Sequence, residues 1–155
     1  MRELAPESRT DRPATRSGMG MLMIALYGIF ALASTARAGY QIGTKLDEAP
    51  VAYLLSGFAA VLYVVATVAL LRATPRSRAV AWTSVTIELV GVVSVGLLSF
   101  ARPELFPEAT VWSHLGEGYG YVPLVLPVLG LWWLARTRPR TGTDAPKPAP
   151  PTATA

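Results

Sequence analysis

The sequence predicts an all-α, polytopic membrane protein with four transmembrane helices in an up-down bundle and both termini cytoplasmic. Three observations carry that prediction. Apolar residues make up 52% of the 155 and charged residues only 15%, a balance too apolar for an ordinary soluble domain. The apolar residues are gathered into four runs long enough, or nearly so, to cross a bilayer. The positive charges sit at alternate ends of those runs, as membrane orientation requires.

Residues 1–18 mix four arginines with three acidic residues and two prolines and show no apolar periodicity. They read as a disordered, solvated cytoplasmic tail. The four-helix domain is predicted over 19–136. Its first span is expected at about 19–38, with Arg37 snorkelling outward from its end. A cleaved secretory signal is the competing reading of this run; the long, partly acidic leader and the three later spans favour an uncleaved helix.

Ala38–Ala49 reads as a polar connection. Pro50 then opens the second span, about 50–72, at a first-turn position where proline loses no useful donor. Arg72–Arg78, broken by Pro75, reads as a tight basic turn before the third span at about 79–100. Ala101–Gly120 is the longest connection, and its Phe106, Trp112 and Tyr119 suit a headgroup layer. The fourth span is expected at about 119–136, entered through a flexible glycine-rich segment. Residues 137–155, rich in proline and threonine, read as a second disordered cytoplasmic tail.

Of the 14 Lys and Arg, 11 fall in the two tails and the 72–78 turn. Positive residues favour the cytoplasm, so residues 37–49 and 101–120 are expected outside. Trp132 and Trp133 are then expected at the inner interface and Trp112 at the outer one.

Within the third span, Glu88 falls near the bilayer midplane, where an ionisable side chain costs about 2.5–3.5 kcal/mol on insertion scales. Ala81, Ser84, Glu88, Gly91, Val95 and Ser99 share one small, partly polar face. Glu88 is therefore expected to point into the bundle. Counting residues from the same end of the other spans puts Tyr27, Tyr63 and Pro127 at its depth. Pro127 cannot bond the carbonyl four residues earlier, which leaves an acceptor for a protonated Glu88, while a tyrosine hydroxyl supplies a donor. With no basic residue at that depth, a neutral Glu88 is expected.

A second candidate is an acidic cluster in the outer loop: Glu104, Glu108, His114 and Glu117. Flexible exposed carboxylates are usually only solvated, so no metal is expected there. With no Cys and a single His, thiolate chemistry is excluded and a histidine-rich metal centre with it. No residue set points to catalysis, so an enzyme is not expected, nor any cofactor. The arginines flank apolar runs and form no continuous basic helix, so the net charge of +4 does not indicate nucleic acid.

The stretches TKLDEAPVAYLLS, ELFPEATVWS and GYGYVPLVLPVLGLWWL resemble those of an uncharacterised family of small actinobacterial integral membrane proteins with four helices. The resemblance covers about residues 20–135 and implies the fold and a multi-pass setting in the cell membrane, but no activity. Two readings of function follow. The first is an accessory or scaffolding subunit that assembles, in the lipid bilayer, with other membrane proteins or with itself. The alternative is a small proton- or cation-linked transporter or channel component using Glu88.

Overall fold

The computed structural model describes residues 18–137, so the two tails expected at 1–18 and 137–155 lie almost wholly outside the described residues. Within that range the chain is all-α, with three helices long and apolar enough to cross a membrane. They are α1 (Gly18–Lys45), α2 (Pro50–Arg72) and α3 (Pro75–Ala101). A fourth helix, α4 (Val122–Arg136), has 15 residues and a length of about 22 Å, short of a hydrocarbon core of about 30 Å. The preceding segment Ser113–Tyr119 meets it at a bend of 100°, and only the bent pair together makes a fourth candidate span.

α1 packs along α2, α3 lies between α2 and α4, and α4 returns to touch α1, so the four helices form a ring around one core. Small residues let them approach. Ala31, Ala59, Ala60, Ala66, Ala69 and Ala81 are all buried, and between them sit Met23, Tyr27, Tyr63, Val85 and Val92.

Several boundaries differ from those expected. α1 continues seven residues beyond Ala38, because Ala38 and Gln41 stay buried and Ile42 packs against Gly57 of α2. The expected polar connection shrinks to Leu46–Ala49. Pro75 does not break a turn but begins α3 at its first helical positions. Thr74 caps it through a reciprocal pair: Ser77 N–H donates to Thr74 Oγ1 at 3.1 Å and Thr74 N–H to Ser77 Oγ at 2.8 Å. The 72–78 turn is thus only Ala73 and Thr74, with Ala73 in a left-handed conformation.

The fourth helix begins at Val122 rather than 119. Gly120 and Tyr121 both have left-handed φ, which no α-helix continues through. Within the glycine-rich entry Gly116 is packed, buried at φ 84° where a Cβ would fall 2.8 Å from Pro123 Cδ, while Gly118 and Gly120 are exposed with nothing within 4 Å of a Cβ position.

The connection between α3 and α4 folds down into the ring. Ser99 Oγ donates to the Gly96 carbonyl at 2.7 Å and accepts from His114 N–H at 2.7 Å, which pins the loop to α3. Thr110 and Ser113 tie its turn, with Thr110 N–H donating to Ser113 Oγ at 2.9 Å. Trp112, expected at a headgroup layer, is 2% exposed and lies over Gly91 of α3, where a Cβ would sit 2.6 Å from its ring. Trp133 is likewise buried, whereas Trp132 faces out with the Arg136 guanidinium 4.5 Å from its ring centroid.

Arginines fasten both ends. Arg37 does not snorkel away; it donates to Tyr119 Oη and to the Ala109 carbonyl, holding α1 to the loop. At the other end Arg78 donates to the Leu134 carbonyl and to Thr137 Oγ1, holding the start of α3 to the end of α4.

Gly96 is the tightest point of the loop's seat, since a Cβ there would lie 2.7 Å from Leu115 N and 2.9 Å from Leu115 Cα. Gly96→Ala is expected to lower stability by about 1–3 kcal/mol, as overpacking does. Gly39→Ala, with nothing within 4 Å, should not destabilise. Thermal unfolding of both variants in detergent checks this.

Candidate functional site

The third helix turns its small face inward: Ala81, Ser84, Val85, Glu88, Val92, Val95 and Ser99 are buried, while Ile87, Val90 and Leu97 are exposed. Glu88 is 1% exposed. A carboxyl so enclosed must find polar partners inside the protein.

One partner comes from α1, across the ring. Tyr27, fully buried, donates its hydroxyl to Glu88 Oε2 at 3.0 Å. Gly130 of α4 makes room for it, since a Cβ there would stand 3.2 Å from Tyr27 Oη and 3.3 Å from Val85 Cγ1. Glu88 Oε2 accepts this bond whether or not Oε1 carries a proton, so the contact suits either form of the acid.

Tyr63 arrives from α2 on a face that also buries Ala52, Ser56 and Ala60. Its ring lies 6.3 Å from that of Tyr27 and 5.6 Å from that of Phe30. The side chains of Glu88 and Trp112 both interact electrostatically with its hydroxyl, yet Tyr63 Oη closes no hydrogen bond. Glu88 Oε1 and Trp112 Nε1 are also buried without a partner. Three orphaned polar atoms from α2, α3 and the loop therefore belong to one buried cluster around Glu88. One is a donor, one an acceptor in the ionised acid, and one can be either.

Of the other expected members, Ser84 is buried one turn from Glu88 and does not bond to it. Pro127 is buried inside α4, but Glu88 does not bond the carbonyl of Pro123 that its ring leaves free; its bond is instead the one it accepts from Tyr27 of α1. Gly91 supplies the recess for Trp112. Trp112 and Gly130 are the members that sequence reasoning missed. An aromatic residue in a loop carries no periodicity from which to infer that it enters a bundle.

The outer-loop residues do not form a cluster. Glu104 pairs with Arg102, which holds its carboxyl below the usual range. Glu108 and Glu117 are exposed. His114 takes an edge-on contact with Phe100 at 4.7 Å. Among the described residues no three His, Cys, Asp or Glu converge as metal ligands do.

The tyrosines are expected to separate cleanly by mutation. Tyr27→Phe strips Glu88 of its donor and should cost about 1–3 kcal/mol. Tyr63→Phe removes a hydroxyl that faces Glu88 and Trp112 without closing a well-formed bond and should cost less, under about 1 kcal/mol. Unfolding of the two variants in one detergent, side by side, checks the order.

Comparison with protein-family models, with curated proteins and with solved structures returned no match, so the geometry of the chain itself carries the functional argument.

Proposed function

We propose that the chain is a non-catalytic, multi-pass protein of the cell (plasma or inner) membrane that acts as an accessory or scaffolding subunit. In this reading the 19–136 domain crosses the bilayer four times, the fourth crossing made by α4 together with its bent entry. Both ends face the cytoplasm, as the arginine distribution favours. Arg72, Arg76, Arg78 and Arg136 then lie inside, and Asp47, Glu48, Glu104, Glu108 and Glu117 outside.

The observation that carries the scaffolding role is the unpartnered face of α1. Ala25, Leu32, Ala36 and Gly39 are exposed at helical spacings of three, four and seven residues, beside exposed Ile29. Gly39 has nothing within 4 Å of its Cβ position. Such a face lets another membrane helix come close, where dispersion contacts rather than hydrophobicity drive association. Glu88 meanwhile is closed inside by Tyr27, so its role in this reading is to set the register of α1 against α3.

The orphaned atoms around Glu88 favour a second reading, a proton- or cation-linked transport component. Glu88 Oε1 and Tyr63 Oη would then supply ligands or relay positions, as intramembrane carboxyls often do, with the Trp112 N–H serving only as a donor beside them.

Copurification in mild detergent separates the two. The scaffolding reading expects a stoichiometric partner or second copy, reduced about tenfold or more by Ala25→Leu with Ala36→Leu and unchanged by Glu88→Gln. Loss of a pH-dependent flux in proteoliposomes on Glu88→Gln, with assembly intact, favours transport instead. Orientation is checked separately, since the chain has no cysteine. Single cysteines at Lys45 or Glu108 should react with an impermeant maleimide on intact cells, and one at Arg76 only after lysis.

A further inference from the structure

We infer that the groove between α2 and α3, at the end where their short turn lies, is a binding site for one anionic phospholipid. The groove is open along one side and offers about 530 Å³, within the range of sites that hold a small ligand. Its walls are Val64, Val68 and Val80, and its mouth is flanked by Arg72 and Arg76. Val64 lies two helical turns below Arg72, about 12 Å along α2, so an apolar channel runs from the arginines towards the centre of the helices.

The polar atoms at the mouth divide into two kinds. Thr74 and Ser77 spend theirs on each other in the helix cap. Arg72 and Arg76 take part in neither of the ion pairs found among the described residues. The arginines elsewhere are engaged: Arg37 with the loop, Arg78 with α4, Arg102 with Glu104 and Arg136 with Trp132. Of the described acidic residues only Glu88 is at membrane depth, and the others belong to the opposite end, in 47–48 and 104–117. Two exposed guanidiniums above an apolar channel, with no carboxylate of the described residues beside them, match a phosphate headgroup carrying net negative charge above an acyl chain. A free phosphate would leave the valine walls uncovered. A zwitterionic lipid would bring its own ammonium towards the arginines.

The inference rests on α2 and α3 crossing the bilayer, and carbonate washing of membranes tests that part by itself: a chain that washes out ends both readings. For the site, the full chain in detergent is titrated with phosphatidylglycerol, with phosphatidylcholine of the same chain length and with inorganic phosphate, following thermal unfolding and native mass spectra. Phosphatidylglycerol is expected to bind as one retained molecule and to half-saturate at about tenfold lower concentration than phosphatidylcholine. Arg72→Gln with Arg76→Gln should abolish that preference. Val68→Trp, which fills the channel, should abolish retention while the protein still unfolds cooperatively. Lys45→Gln with Arg102→Gln, at the other end, should leave the preference intact. The inference is overturned by equal binding of the two lipids, by phosphate alone reproducing the effect, or by the distal pair lowering the preference as much as the proximal pair.

Discussion

A carboxyl group halfway along a helix apolar enough to cross a membrane cannot be left without polar company, and that constraint orders the rest of this molecule. Glu88 turns α3 so that its small residues face the ring and Ile87, Val90 and Leu97 face out. It draws the hydroxyl of Tyr27 across from α1, which fixes the height of α1 against α3. Tyr27 in turn needs α4 to come close, which the missing side chain of Gly130 permits. One buried acid thus couples three of the four helices.

The end of the ring beyond Glu88 is closed by the chain itself. Trp112 drops from the α3–α4 connection onto Gly91, one turn from Glu88, and Leu115 packs onto Gly96 a little further along. The loop needs its own backbone irregularities to do this. His114 and Leu115 as well as Gly116 have left-handed φ, conformations that cost non-glycine residues energy and persist only where surroundings hold them. Here the hold comes from Ser99, which fastens His114 N–H, and from Arg37, which grips the loop from α1. The enclosed cluster keeps three polar atoms without partners, and an interior otherwise filled by alanine, valine and aromatic rings makes each of them conspicuous.

The two ends of the molecule differ in chemistry. One is shaped by the folded loop and holds all the described acidic residues except Glu88. The other has only a two-residue turn between α2 and α3, and two of its basic residues, Arg72 and Arg76, lie beside the valine groove. A shorter connection leaves the helix ends bare, so that end presents its grooves and guanidiniums directly to whatever surrounds it.

Length, apolarity and the proline at position 50 were enough to delimit α2, and the spacing of Ala81, Ser84, Val95 and Ser99 was enough to orient α3, because helical periodicity is local information. Counting turns was likewise enough to put Tyr27 and Tyr63 at the depth of Glu88. Only the tertiary structure decided which hydroxyl bonds the carboxyl, since Tyr27 and Tyr63 are equivalent by depth. It also decided that α1 runs on to Lys45 and that Trp112 leaves the surface for the core. Both depend on a partner distant in sequence: Gly57 for Ile42 and Gly91 for Trp112. Helix faces follow from neighbours along the chain; the path of a loop follows from the surface it meets.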